Sequence, residues 1–162
     1  MNLTLAGEDA SMELLIDNIC MGTAPKHLIL YDGVCGLCNR LVAFVLARDP
    51  GGVFHFAALQ GPLGRKIVEK HGGRPDALDT FYMVRDYRSV SPVLLGRAQA
   101  ALAVATELGA PWSWVSVCGV LPDALLNSGY DLIARHRYRI FGRLESCPLP
   151  KPEYRARFDD DG

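Results

Sequence analysis

Two cysteines separated by two residues, Cys35 and Cys38, stand in the stretch Tyr31-Asp32-Gly33-Val34-Cys35-Gly36-Leu37-Cys38-Asn39-Arg40. Thiols at this spacing can close a disulfide, resolve a mixed one, or supply half of a zinc site. What flanks them bears on the choice. Leu28-Ile29-Leu30-Tyr31 reads as a buried strand, and Leu41-Val42-Ala43-Phe44-Val45-Leu46 reads as the body of a helix. A thiol where a strand turns into a helix meets unpaired backbone N–H groups and the positive end of the helix dipole. Both favour thiolate over thiol. A structural zinc site takes about four ligands. The chain has no second Cys-x-x-Cys and no closely spaced pair of histidines. Context thus favours a redox dithiol over a metal site or a chance spacing, and no metal or bound cofactor is expected.

In a helix-initial pair the first thiol is expected nearer the solvent and the second deeper in the first turn. Cys35 is then the nucleophile and Cys38 the resolving thiol. Asp32 reads two ways. It can cap the turn or helix start by accepting a backbone N–H near Cys35. It can also take the proton from Cys38 as that thiol attacks, although its charge opposes thiolate formation nearby. Gly36 and Leu37 carry no charge, so the redox potential is left to the surroundings.

The elements that must position these residues alternate along the chain. Residues 27–31 read as a first strand, apolar on both faces as a central strand would be. A first helix follows from 35 or 36 to 48, with Leu37, Leu41, Phe44 and Val45 on one face. Residues 53–57 read as a second strand, joined to the first by a right-handed parallel crossover. A second helix spans 63–71. Third and fourth strands are expected at 80–84 and 89–93, antiparallel to each other across Asp86-Tyr87-Arg88. A helix over 96–108 ends at Gly109. Trp112 to Cys118 is a short apolar element, helical rather than extended. A last helix opens at Pro122 and ends at Gly142.

The order β-α-β-α-β-β-α is that of an α/β, thioredoxin-like, three-layer domain with a mixed four-stranded sheet and additional C-terminal helices. The expected organisation is an N-terminal extension over 1–25, either flexible or with a short helix near 11–20, a domain over 26–150 and a tail over 151–162.

The 162 residues suffice for one domain with a sizeable core. Seventeen basic and eighteen acidic residues give a formal charge of -1, so no broad basic field for nucleic acid is implied. No stretch approaches the roughly 20 apolar residues of a membrane helix. Glu8 and Asp9, with no basic segment before an apolar core, do not read as a secretory signal. A cytoplasmic setting is expected, where structural disulfides are rare. The five cysteines, at 20, 35, 38, 118 and 147, also argue against a disulfide-stapled scaffold.

Taken together, the stretch from Tyr31 to Asn39 resembles the signature of the DCC family of thiol–disulfide oxidoreductases, named for its Asp-Cys-Cys pattern. The resemblance continues through Phe54-His55-Phe56-Ala57-Ala58-Leu59-Gln60, Asp79-Thr80-Phe81 and Leu108-Gly109-Ala110-Pro111-Trp112. It returns in Tyr130-Asp131-Leu132-Ile133-Ala134-Arg135-His136-Arg137-Tyr138 and Phe141-Gly142-Arg143. It implies a thioredoxin-like fold, a redox role for Cys35 and Cys38, and Asp32 as the third signature residue. Two departures stand out. The family's Ser-Asp/Glu-Ala element is here Arg97-Ala98-Gln99-Ala100. Thioredoxins place a cis-proline before the third strand; here Leu78-Asp79-Thr80 stands there, Pro75 lies earlier, and Thr80 is expected to face the site.

Other residues read more simply. Cys118 is expected in the core, Cys20 as incidental, and Cys147 as packing the tail. His55 is expected as a satisfied edge or core residue. The run Arg135-His136-Arg137-x-Arg139 is expected as a solvated helix end suited to the negative dipole, and Asp159 to Asp161 as a solvated acidic end. Trp112 and Trp114 are expected as core or interface anchors. The leading function is a thiol–disulfide oxidoreductase acting on a disulfide-containing protein or small thiol and recycled by a reductase or thiol pool. The alternatives are a thioredoxin-like redox-sensing or binding module and, behind it, a metal-binding protein.

Overall fold

The structure is a computed structural model, and it describes residues 26–72, 80–145 and 151–159. The expected extension, Cys20, Pro75, Leu78, Asp79 and Cys147 lie outside the described residues.

Four strands form one mixed sheet. β1 (His27–Tyr31) lies beside β2 (Phe54–Ala58), in parallel, with Ile29 opposite Phe56. On its other side β1 pairs antiparallel with β3 (Tyr82–Arg85), and β3 pairs antiparallel with β4 (Val93–Gly96). The order is β2-β1-β3-β4. The helices are α1 (Gly36–Leu46), α2 (Pro62–Lys70), α3 (Arg97–Glu107) and α4 (Asp123–Phe141). A 3-10 helix, Trp112–Val120, joins α3 to α4. This is the three-layer thioredoxin-like arrangement with extra C-terminal helices.

β1 is buried throughout because both sheet faces are covered. Its alternation sorts the core. Ile29 and Tyr31 join Phe56, Met83, Val42, Val45 and Val104 on the face of α1, α3 and α4. Leu28 and Leu30 join Ala57, Val84 and Val68 on the face of α2. The central strand thus delivers Asp32 and Cys35 from its end into the larger core. Among the described residues no helix is long and apolar enough to cross a membrane.

Three expectations shift. The third strand begins at Tyr82, not at 80, and the fourth spans Val93–Gly96 instead of 89–93. The turn is longer because Asp86 adopts φ 51° and the Ser89 N–H closes on its carbonyl at 2.8 Å. Cys118 is exposed, not core. The 3-10 helix Trp112–Val120 is mostly apolar, and Cys118 falls on the row of Trp112 and Val115, so composition alone suggests burial. Trp112 packs edge-on against Phe44, with ring centroids 4.8 Å apart, while Trp114 is 78% exposed.

The expected tail is also more engaged than its sequence suggests. A second 3-10 helix, Pro152–Arg157, leads into Phe158, which bridges to Phe56 on the edge strand. The Asp159 N–H donates to Phe56 O at 2.9 Å, and its carboxylate lies 3.0 Å from His55 Nδ1. Asp159 is therefore a partner of His55 and not a solvated end, and His55 is satisfied as expected.

Candidate active site

β1 ends at Tyr31 and α1 begins at Gly36. Side chains hold the turn between them. Asp32 Oδ1 accepts the Val34 N–H at 3.1 Å, an Asx turn. Asn39, one helical turn on, folds back so that its Nδ2 donates to Gly33 O at 2.8 Å and Cys35 O at 2.9 Å. Cys35 is the N-cap of α1. Its backbone is extended and its Sγ accepts the Cys38 N–H at 3.5 Å. A serine or aspartate oxygen ordinarily fills this place. The sulfur therefore faces the positive end of the helix.

Asp32 is the hub beneath the pair, 1% exposed. Its Oδ1 also accepts Gln60 Nε2 at 2.6 Å, while Gln60 Oε1 accepts the Gly33 N–H at 3.2 Å. Its Oδ2 accepts the Tyr138 hydroxyl, and Arg137 Nη2 at 3.2 Å. Arg137 Nη2 reaches Tyr138 Oη as well, at 2.9 Å. A carboxylate offers about four acceptor positions, and four donors take them here. The turn cap is present. Accepting a proton from Cys38 would displace one of those donors.

Arg137 corrects the expectation of a solvated helix end: it is 4% exposed and ion-paired. Only its neighbours Arg135, His136 and Arg139 are solvated. The signal was in the spacing. Tyr130, Ala134, Arg137 and Tyr138 recur at i, i+4, i+7 and i+8, one face of a helix. Burial works against the Arg137 cation. The bond to Tyr138 and the fields of Tyr138, Cys35 and Cys38 outweigh that, so its pKa stands above the ordinary value. Burial and the bond to Asp32 push the Tyr138 phenol up.

The two cysteines differ in a way opposite to the expected exposure. Cys35 is 0% exposed and Cys38 is 7% exposed. Cys35 packs into the core cluster, and the chain after α4 crosses its turn. Helix α4 stops at Gly142, with φ 77°, and residues 142–144 run back over the turn. Cys35 forms an antiparallel bridge with Arg143. The Gly36 N–H donates to Gly142 O at 3.2 Å, and the Leu144 N–H to Val34 O at 2.8 Å. The backbones approach so closely that a Cβ at Gly36 would collide with the Phe141 carbonyl oxygen. Burial, reinforced by the neighbouring Cys35, pushes the Cys38 thiol up to about 12; a hydrogen bond with the Asp32 backbone and the Arg137 cation pull the other way.

The structure thus brings Cys35, Cys38 and Asp32 together in one turn. Gln60, Arg137, Tyr138 and Asn39 were not expected as site residues from sequence, and all hold that turn. Phe81, next to Thr80, lines an apolar cavity with Cys38. Cys118 and His55 take no part in the turn. Among the described residues no cluster of three or more His, Cys, Asp or Glu side chains can hold a metal ion.

Comparison with known proteins identifies relatives of the chain. The profile described as DCC1-like thiol–disulfide oxidoreductase matches residues 29–143. The uncharacterized protein YuxK of Bacillus subtilis is 34% identical over 134 residues, covering 83% of this chain and 94% of that protein. A DCC family protein of Arabidopsis thaliana, named as chloroplastic, is 31% identical over 125 residues, covering 76% of this chain and 70% of that protein. No solved structure matches the chain significantly.

Proposed function

Because this chain belongs to the DCC1-like thiol–disulfide oxidoreductase family, we propose that Cys35 and Cys38 are its working dithiol and that it reduces disulfides in the cytoplasm. The observation that carries this reading is the cap: Cys35 Sγ accepts the Cys38 N–H at 3.5 Å at the positive end of α1. The Cys35 thiolate attacks one sulfur of a substrate disulfide. The substrate S–S bond breaks, and the departing sulfur leaves as a thiolate that takes a proton from water. A mixed disulfide on Cys35 remains.

Cys38 then becomes competent. Its thiol is held up by burial and by the field of Cys35. Once Cys35 is bonded to substrate it carries no charge, and the second of those causes vanishes. Cys38 loses its proton and attacks Cys35 Sγ, and the substrate's second sulfur leaves and is protonated. Two electrons have passed to the substrate and the protein holds a Cys35–Cys38 disulfide. A reductase or thiol pool returns it to the dithiol, with no bound cofactor. Access to Cys35 requires residues 142–144 to lift from the turn.

Asp32 serves in this scheme as the cap and as the anchor for Arg137 and Tyr138, and it is the acceptor of the Cys38 proton if one donor departs. Asp32→Asn separates these roles. With a mixed disulfide trapped on Cys35, slowed resolution supports proton transfer, and an unchanged rate leaves the cap alone. The activity itself is tested by insulin reduction with dithiothreitol. Wild type should accelerate precipitation and Cys35→Ser should not; equal rates would remove the reductase assignment.

The complete burial of Cys35 favours a second reading, a redox-sensing or binding module. There, closing the disulfide would shift residues 142–144 and alter the surface they form. Failure in the insulin assay, together with a changed protease-cleavage pattern at those residues on oxidation, would favour it.

A further inference from the structure

A cavity of about 90 Å³ opens beside the dithiol, between α1, α3 and α4. Leu37 and Leu41 wall it from α1, Phe81 from the approach to β3, and Ile133 and Ala134 from α4. Cys38 forms part of the same wall. Ile133, 54% exposed, stands at the mouth.

Two polar groups of this lining are engaged. Arg137 Nη2 is bound to Asp32 and Tyr138. Tyr130 Oη accepts the Phe81 N–H at 2.8 Å. A polar group entering here would give up water for walls of carbon, whereas an aliphatic one would gain burial. Size narrows the choice. A cavity of roughly 150 Å³ lodges a benzene ring, so 90 Å³ lodges about four carbon atoms on that scale. That is the side chain of leucine, isoleucine or valine.

Place completes the argument. Cys38 is the thiol that closes on the mixed disulfide, and Cys35 Sγ lies 3.5 Å from its backbone nitrogen. The mixed disulfide on Cys35 must come within reach of Cys38, which forms part of the wall of this cavity.

We propose that the cavity is a specificity pocket taking an aliphatic side chain adjacent to the cysteine of the substrate disulfide. The preferred substrate is then a polypeptide disulfide flanked by leucine, isoleucine or valine, not glutathione disulfide. This rests on the reading of Cys35 and Cys38 as the working dithiol. The neighbouring side chain holds the substrate sulfur in place while Cys38 attacks, so discrimination falls on kcat/KM for the whole exchange.

The test is a rate comparison with the full chain, reduced and freed of reductant. Two symmetrical peptide disulfides of equal length and charge are offered, one with leucine on both sides of each cysteine and one with serine. Glutathione disulfide is the third substrate. Formation of the Cys35–Cys38 disulfide is followed by acid quench and mass spectrometry. Burying one aliphatic side chain is worth about one to two decades. The leucine peptide should therefore react at least about tenfold faster than the serine peptide, with glutathione disulfide at or below the latter.

Ala134→Leu fills the cavity and should bring the leucine-to-serine ratio close to one. Ile133→Ala enlarges it and should move the preference from leucine towards phenylalanine, a gain that a misfolded protein cannot show. Exchange without preference in wild type overturns the pocket alone. So does a preference that survives Ala134→Leu, which would place recognition elsewhere on the surface. Exchange with none of the three disulfides overturns the dithiol reading and the pocket with it.

Discussion

Replacing Arg137 by methionine removes a cation from beneath the dithiol while keeping much of its bulk. Asp32 and Arg137 are 1% and 4% exposed and meet at 3.2 Å. With an effective dielectric of about 20, the attraction at that distance is ~5 kcal/mol. Desolvation of both charges offsets much of it, so the intact pair adds little net stability. Deleting one partner is a different matter, because the Asp32 carboxylate is left buried with Gln60, Tyr138 and one backbone N–H. Such an uncompensated charge costs about 3–5 kcal/mol. Urea unfolding of wild type, Arg137→Met, Asp32→Asn and the double variant forms a closed cycle. Arg137→Met should lose about 3–5 kcal/mol. The double variant should lose less than the sum of the singles, by about 1–3 kcal/mol. A loss below ~1 kcal/mol for Arg137→Met, or strictly additive singles, would refute the claim that this pair anchors α4 to the turn.

The Cys38 thiol rises from 9.0 to about 12 in the folded chain. Above pH 9.0 the unfolded chain gives up a proton that the folded chain keeps, so stability is full below that pH and falls as pH climbs towards about 12. The slope should reach at most ~1.4 kcal/mol per pH unit in a pH series of urea melts, and Cys38→Ala should flatten it. His27 behaves oppositely. It is fully buried and burial lowers its pKa below 6.5, despite Glu107 at 3.3 Å. Stability should be full above pH 6.5 and decline as pH falls below it, because the unfolded chain then protonates first. His27→Asn, which retains an acceptor for the Asp86 N–H, should remove that decline. Gly36→Ala should destabilise the protein by roughly 1–3 kcal/mol through its clash with the Phe141 carbonyl, against a gain of about 1 kcal/mol in helix propensity. In iodoacetamide labelling followed by mass spectrometry, exposed Cys118 should react before buried Cys35.

The strand and helix order was legible because each element carries its own period and stops. Pro122 and Gly142 bracket α4, and Asp49-Pro50-Gly51-Gly52 separates α1 from β2. The turn itself was legible from Asp32, Cys35 and Cys38. Its wiring was not, because it is made by residues distant in sequence. Gln60 follows β2, and Arg137 and Tyr138 lie more than a hundred positions from Asp32. No local pattern pairs an arginine with one carboxylate and not another. Exposure failed for the same reason. A helix-initial cysteine is normally the outer one, whereas here Cys35 packs into the core and residues 142–144 cross over its turn. Cys118 failed for a different reason: its neighbours Val117 and Val120 are apolar yet exposed, so composition alone misplaced that segment.

Helix α4 joins these features mechanically. Arg137 and Tyr138 fix its last turns to Asp32, and the chain leaves it at Gly142 to cover Cys35. Among the described residues two backbone bonds hold the cover to the turn, Leu144 N–H to Val34 O and Gly36 N–H to Gly142 O. Each is worth only about 1 kcal/mol net, which by itself would leave Cys35 open for an appreciable fraction of the time. The buried anchor supplies the rest by keeping the helix end in register with the turn. Asp32→Asn should therefore speed iodoacetamide labelling of Cys35 by about tenfold for each ~1.4 kcal/mol of anchoring removed, while Cys118 labels at its wild-type rate. Should Cys35 in Asp32→Asn stay as protected as in wild type, although global stability has fallen, the cover is held by its backbone bonds alone and α4 does not couple the ion pair to access.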